Sequence, residues 1–481
     1  MVGALTPRGC SARLLPMSVV TPEELERPIF RYRLLPLFRD LIRCGCVNTG
    51  EPDSGQEDRA VAVLREFFAG YGLETRILHG RPGRGNLLVK VPGSDPTAQS
   101  LTYMNHVDVV PANATDWSCD PFAADIKDGQ VWGRGAVDML CWTACQAVGL
   151  AEALKARPQR NFPGTLSFLA LADEEAAGRW GARFLVEQFW EDVKCDAMVT
   201  ELGGFFADTE RGPAAFINRG EKGVAWVKLT ARGRAGHGSM PYSADNALLK
   251  AAEAALRLSS YRAPLLRHPS WRSMARTAAR GGVERAALLS GWCEGWVMKR
   301  IFRRDPGMAK FLDTAGHTTF SPNVIAGGDK INVICDRSEL LVDVRFLPGQ
   351  DGNLPDEAGL EALVRRALGP QLSSQFHFEL LDFHKPTLSP LEGPLDEAIR
   401  KVFSESHPEA TLADLMIGGV TDGRYWRDRG TTVYGFTLFD REMTMGEFTS
   451  RMHGVDERIS LNSLALGLRF FTQLPGKFWK I

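Results

Sequence analysis

Between residues 73 and 202, short apolar runs of strand length alternate with runs of helix length. This alternation limits the fold more than any other feature of the chain. "LETRILH", "NLLVKVPG" and "SLTYMNHVDVV" read as strands. A helix follows from about Asp138 through "CWTACQAVGLAEALKA", then the strand "GTLSFLALAD", a helix after "GRWGARFLVEQFW" and the strand "DAMVTEL". Parallel neighbours need a crossover connection, usually a helix, so the pattern predicts an α/β layer with a mostly parallel sheet. Two helices are predicted ahead of it. "TPEELERPIFRYRLLPLFRDLIRCG" opens with Thr21 as N-cap and Pro22 at the first position, and "EDRAVAVLREFFAGYG" ends in glycine. "GRPGRG" joins two strands rather than opening a helix, which excludes a phosphate cradle there.

Near Asn218 the texture changes. "GVAWVKLTARGRAG" alternates like a strand, "ADNALLKAAEAALRL" is helical, and "DKINVICDRSELLVDVRFLPG" reads as strand, turn, strand. A helix ("EAGLEALVRRAL") and a strand ("FHFELLDF") complete a β-α-β-β-α-β order, that of a ferredoxin-like α+β unit. After about Pro390 the α/β texture returns. The expected organisation is therefore a catalytic domain of residues 21–218 and 386–481, with a lid or dimerisation domain of residues 219–385 inserted into it. A stretch rich in Arg and Trp, about 263–320, interrupts the inserted domain and is expected to form solvated helices. Residues 1–20 are expected to be disordered, as termini usually are.

At 481 residues the chain is too long for one core. A formal net charge of −1 offers no global attraction to nucleic acid or to a membrane surface, and no apolar run is long enough to span a bilayer. The N-terminal segment is broken by Arg and Pro and has no clear apolar core of a signal peptide. The nine cysteines are odd in number and scattered, without zinc-ribbon spacing, so they read as reduced thiols of a cytoplasmic protein.

One strand ends in an unusual way. "FLALADEEAAG" runs from apolar residues straight into Asp173, Glu174 and Glu175. Carboxylates packed together repel one another, and burying them is costly unless a cation neutralises them. The ordinary alternative is a solvated helix start, where acids are favoured. Other strand ends decide between the two. "MNHVDVVP" places His106 at a strand end with Asp108 two residues on, on the same face, where a carboxylate can fix the tautomer of the ring. "GRGAVD" presents Asp138 from a tight turn at a helix start, suited to bridging two ions. "DAMVTELGG" ends in Glu201, and "RMHGVDERI" offers His453. Strand ends of a parallel sheet converge on one crevice. Two imidazoles and three ligating carboxylates arriving there are what a two-metal hydrolase needs, with one further carboxylate free to take a proton from water.

Taken in chain order, "HVDVVP", the Trp117–Phe122 segment "WSCDPF", "GRGAVD", "DEE", "GHGSMP", "GGVTDGRYWRDRG" and "MHGVDERI" resemble the M20 family of zinc metallopeptidases and amidohydrolases. That family includes glutamate carboxypeptidases, aminoacylases and succinyl-diaminopimelate desuccinylase. The resemblance covers about residues 100–460. It implies two zinc ions per chain, with Co²⁺ or Mn²⁺ as substitutes, held by His106, Asp138, Glu175, Glu201 and His453, Asp138 being the bridge. It implies Glu174 as the general base that activates the bridging water, Asp108 as the residue orienting His106, and His237 as an oxyanion donor, often supplied by a partner subunit of a homodimer. Asn332 and Arg424 would contact substrate, Arg424 by bidentate pairing with a terminal carboxylate.

The implied reaction is hydrolysis of a peptide or amide bond next to a free carboxylate. An N-acyl-amino-acid deacylase is the alternative within the class, and a non-catalytic metal-binding relative the alternative outside it. The carboxylate-rich ligand set and the presence of Glu174, which is not a proposed ligand, disfavour a purely structural site. Departures from the family pattern fall at Leu140, Cys141 and Cys335 and in "TELGG", and none removes a proposed ligand. The expected partners are a small peptide or N-acyl amino acid substrate, with no nucleic acid and no membrane. His79, His268, His317, His377, His384 and His407 lie outside the motifs. Neither G-x-S-x-G nor H-E-x-x-H occurs, so a serine nucleophile or a single-zinc helix site lacks its residues.

Overall fold

A computed structural model describes residues 20–157, 159, 161–347 and 356–481. The expected disordered stretch 1–20 lies, apart from Val20, outside the described residues.

A large mixed sheet has a parallel centre. Leu101–His106 pairs in parallel with both Leu166–Leu171 and Ala197–Thr200, and Thr432–Gly435 continues in parallel beyond Ala197–Thr200. Antiparallel strands flank this centre. Arg76–Arg81 and Arg84–Val91 form a hairpin on one side, and Gly212–Glu221 lies on the other, itself parallel to Thr411–Ile417. The hairpin closes across Pro82 and Gly83, so "GRPGRG" is indeed a turn between strands.

The central strands are buried along their whole length because helices cover both faces. Successive residues alternate between two cores. Phe168 and Ala170 face one core, with the helices Leu35–Cys44, Asp58–Ala69, Leu140–Lys155 and Leu461–Phe478. Leu169 and Leu171 face the other, with Ala182–Gln188 and Trp426. Leu140–Lys155 is buried on nearly every side. At Gly149 a Cβ would come within 2.6 Å of the Phe471 Cβ, so glycine lets this helix lie close against the last helix.

The second sheet is wholly antiparallel, in the order Thr319–Gly327, Arg337–Phe346, Gly223–Arg232, Phe376–His384. Ala247–Ser260 and Glu357–Leu368 share its core. This is the ferredoxin-like connectivity, with one correction to the sequence reading. "DKINVI" does not supply the second long strand. Val333–Ile334 makes only a two-residue pairing with Gly236–His237, and the strand lies upstream at Thr319–Gly327. That strand is at the sheet edge and bulges after Pro322. Its Val324 and Ile325 are exposed, so it shows no apolar alternation to read.

The helices of the Arg- and Trp-rich stretch, Pro269–Ala278, Gly281–Ser290, Glu294–Arg304 and Pro306–Gly316, also depart from expectation. They pack into the core of the large sheet, not the small one. Ser273 Oγ accepts a hydrogen bond from Asp414 N at 3.0 Å, tying the first of them to Thr411–Ile417. Trp271 is fully buried beneath them and donates to Leu312 O.

Lys222 alone separates the last residue of a large-sheet strand, Glu221, from the first of a small-sheet strand, Gly223. It is buried, with Nζ donating to His317 O at 2.7 Å and Thr319 Oγ1 at 3.2 Å. Burial, with the Arg345 cation nearby, lowers its pKa from the ordinary 10.5 to about 7. The unfolded chain therefore binds more protons than the folded one between about pH 7 and 10.5, and stability should rise with pH across that window. Thermal unfolding measured from pH 7 to 10 is expected to show this slope reduced in Lys222→Met. An identical slope in both proteins would refute a buried, depressed Lys222.

Candidate metal centre

The parallel register sets the site. His106 ends its strand directly opposite Leu171, the last residue of the neighbouring strand, and Glu201 follows the strand Ala197–Thr200 on the other side. Asp173 turns the chain sharply after Leu171, in the left-handed region (φ 69°), and delivers Glu174 and Glu175 to the same level. Asp138 arrives two residues before the helix Leu140–Lys155, and His453 follows the helix Met445–Arg451 with φ 59°. Non-glycine residues rarely adopt such φ values, and they cluster where a site demands a particular aim.

Two groups that could each hold a metal ion result, His106–Asp138–Glu201 and Asp138–Glu175–His453. Within each, the donor atoms lie within 4.8 Å of one another. Asp138 is shared. Its Oδ1 is 3.3 Å from His106 Nε2 and its Oδ2 is 3.1 Å from His453 Nε2. Glu201 Oε2 is 3.7 Å from His106 Nε2, and Glu175 Oε2 is 3.3 Å from His453 Nε2. Glu174 belongs to neither group, yet its Oε2 stands 4.0 Å from His106 Nε2. The structure thus brings Glu174 and the five residues expected as ligands into one crevice.

The electrostatics fit cations. Burial, reinforced by neighbouring carboxylates, drives Glu174 well above the usual carboxylate range and Glu201 to about 8. Burial also raises Glu175, whose Oε1 is enclosed with no partner. Hydrogen bonds to Asp138 and Glu175 raise His453 to about 10, and against its burial His106 is raised by Asp108, Asp138 and Glu201. Protons are drawn into the cluster because so much negative charge is enclosed there. Divalent ions at the two groups would satisfy the same charge.

Asp108, together with residues that the sequence reading did not single out, holds this arrangement. The Asp108 carboxylate accepts from the backbone N–H of Glu174 (3.2 Å) and of Glu175 (3.1 Å), so it positions the acid pair as well as His106. The His106 ring meets Asp108 mainly through the Asp108 backbone carbonyl, 3.0 Å from Nδ1, with a carboxylate oxygen at 3.4 Å. Asn48 Nδ2 donates to Asp108 (2.8 Å) and Asp173 (3.1 Å), and the Arg84 guanidinium bonds Asn48 and Glu57 behind it. Glu457, wholly buried, accepts from the N–H groups of Gly135, Val137 and Asp138 and from Arg134. It locks the Asp138 turn to the segment bearing His453. Its place in "MHGVDERI" was a signal for it. Asn48, Glu57 and Arg84 carry no sequence signal, since only folding joins them.

The three remaining predicted residues lie differently. His237 is exposed, its Nδ1 2.7 Å from Ser239 Oγ, and it touches none of the ligand residues. Asn332 is exposed beside it, its carbonyl accepting from Gly238 N at 2.7 Å. Arg424 is only 3 % exposed. Its Nη groups donate to Thr421 O (3.0 Å) and Ala177 O (3.3 Å), while Nε has no partner. It is thus a brace between the Glu174 loop and the Asp422 loop rather than an open fork. Asp422 itself, unread in the sequence, has both carboxylate oxygens enclosed without partners, and burial raises it to about 7.

A parallel-centred α/β sheet with paired acid–imidazole groups at its strand ends, interrupted by an antiparallel α+β unit, defines a class of metal-dependent amide hydrolase. The sequence profile of peptidase family M20/M25/M40 matches residues 102–477, and the chain belongs to that family of hydrolases. Over 467 residues it is 26% identical to the N-fatty-acyl-amino acid synthase/hydrolase PM20D1.1 of Danio rerio, covering 93% of this chain and 86% of the fish protein. It is 34% identical to the succinyl-diaminopimelate desuccinylase of Rhodospirillum centenum, covering 89% and 93% of the two chains. The M20 family metallo-carboxypeptidase Sso-CP2 from Sulfolobus solfataricus shares the fold, with a TM-score of 0.66, 15% identity and coverage of 96% and 100%.

Proposed function

We propose that this chain is a two-metal hydrolase that cleaves an amide bond next to a free carboxylate, with an N-acyl amino acid as the favoured substrate class. The observation that carries the reading is Asp138, which faces one acid–imidazole pair with each carboxylate oxygen. Relatives matched over most of their length are named for N-acyl amino acids and for a desuccinylase, which supports deacylation over the peptide reading. Peptides remain the second substrate class, supported by the carboxypeptidase fold neighbour.

His106 and Glu201 would hold one cation, Glu175 and His453 the other, with Asp138 between them. The carboxylate and imidazole donors suit zinc, and Co²⁺ or Mn²⁺ as substitutes. When bound, the cations would supply Lewis acidity toward the substrate carbonyl and toward water. The chain's own residues do the rest. Glu174, aimed at the cluster but outside both ligand groups, takes a proton from the attacking water and returns it to the leaving nitrogen. Asp108 keeps Glu174 in line through its backbone N–H. The Asp422 and Arg424 side chains close the crevice beside it, Arg424 bracing the Glu174 loop through Ala177 O. The free cysteines among the described residues suit a reducing cytoplasm.

His237 and Asn332 reach substrate, in this proposal, from the other subunit of a homodimer. Their tip also exposes Tyr242 and Ile331, apolar side chains that a partner would cover. His237→Ala is expected to lower kcat more than it raises KM, by about 10²–10³-fold if it is an oxyanion donor. Wild-type activity should fall on dilution below the dimer dissociation constant. A strictly monomeric protein with full activity would overturn this assignment.

The reading is tested by hydrolysis of a panel of N-acyl amino acids and dipeptides, with metal-stripped and zinc-reloaded protein. Zinc-restored cleavage of acyl amino acids is the expected result. Cleavage of dipeptides alone would transfer the assignment to the peptidase reading, and cleavage of neither with two ions bound would refute it.

A further inference from the structure

Residues 263–316 carry ten lysines and arginines against four acids, in a chain whose formal net charge is −1. Two consecutive helices, Gly281–Ser290 and Glu294–Arg304, present much of this charge. Glu294–Arg304 buries Val297 and Ile301 against the core and turns its other side outward. That outer side carries Trp296 (52 % exposed) and Phe302 (53 %), with Trp292 (77 %) just before the helix and Val283 (76 %) on its neighbour. Exposed apolar side chains gathered on one face, unlike single scattered ones, mark a contact surface.

The exposed rings are interleaved with cations. Arg300 lies 4.8 Å from the Trp296 ring centroid. Lys299 and Arg303 flank Phe302 on the helix surface, and neither makes an ion pair among the described residues; the same holds for Arg280 and Lys310. Grooves of about 630 and 700 Å³ run on either side of the helix, one lined by Val283 and Trp296, the other by Met298 and Phe302, and Arg303 lines both.

We propose that this helix face is a docking surface for an anionic phospholipid bilayer. Lysine is depleted at protein–protein interfaces, whereas here Lys299 and Lys310 line the groove of Phe302, and both Trp296 and Phe302 have a cation within one helical turn. That mixture suits a lipid headgroup layer, where aromatic side chains enter the acyl boundary and Lys and Arg meet phosphate and carboxylate groups. Docking is peripheral, since no helix among the described residues is long and apolar enough to cross a membrane. The expectation of no membrane partner rested on the charge of the whole chain and on the lack of a bilayer-spanning apolar run. A surface is read by its local charge, within a Debye length of about 8–10 Å.

The test is co-sedimentation of the metal-loaded full chain with vesicles of phosphatidylcholine alone and of phosphatidylcholine mixed with phosphatidylserine. Binding is expected only to the mixed vesicles, and it should weaken with salt. The double variants Lys299→Glu/Arg303→Glu and Trp296→Ala/Phe302→Ala should each bind about tenfold or more weakly, with circular dichroism and hydrolysis unchanged. Four outcomes would overturn the proposal: no binding to mixed vesicles, equal binding to both lipids, binding indifferent to both double variants, or retention on a soluble polyanion with none on vesicles.

Discussion

Glu174→Gln is expected to lower hydrolysis by about 10²–10⁴-fold, the usual share of a general acid–base, while both cations stay bound. The amide keeps the shape and the hydrogen-bonding reach of the side chain but cannot take a proton at neutral pH. Glu174 lies outside both ligand groups, so its loss removes no donor. The backbone N–H of Glu174 would still be held by Asp108 and the loop by Arg424. Metal analysis beside single-turnover kinetics separates the two effects. Loss of metal together with activity would make Glu174 a ligand, and retained activity would remove it from the mechanism.

Asp138→Ala is expected to cost both sites at once. Tuning residues behind a metal ligand typically change affinity about 10–100-fold, so deleting a shared ligand should weaken each cation by at least about 100-fold. Asp138 supplies one oxygen to each ligand group, and no other residue belongs to both. The most direct readout needs no turnover. A ligand present at about 100 times its dissociation constant stabilises the folded state by about 2.7 kcal/mol, so zinc should raise the melting temperature of the wild type and leave Asp138→Ala almost unmoved. An equal zinc-induced shift in both proteins would refute the bridge. A one-site loss, with half the metal retained, would confine Asp138 to one group.

The candidate ligands were legible because each sits beside the end of a strand or helix, and local pattern marks such ends well. His106 closes the apolar run "LTYM", the acids close "FLALA", and Asp138 precedes a long apolar helix. The residues behind them were not legible. Asn48 meets Asp108 and Asp173 across 60 and 125 positions, and Glu457 reaches the Asp138 turn across more than 300. Nothing local ties such pairs together. Arg424 was visible as a cation in a motif, but only packing shows its Nη groups engaged by backbone carbonyls. Likewise the strand Thr319–Gly327 was missed because an edge strand with a proline and exposed apolar residues lacks the alternation that burial imposes.

By itself the sequence determined the α/β character of the chain, the interruption by an antiparallel unit, and which acids and imidazoles are candidate donors. Period-2 and helical patterning are imposed by burial within single elements and so survive in one dimension. The tertiary structure alone decided which donors share Asp138, which buried carboxylates and amides hold them in aim, and that the Arg- and Trp-rich helices pack on the large sheet with their aromatic side outward. Those outcomes depend on contacts between segments tens to hundreds of residues apart. Only the closed core, with its low dielectric and fixed strand register, brings such segments together.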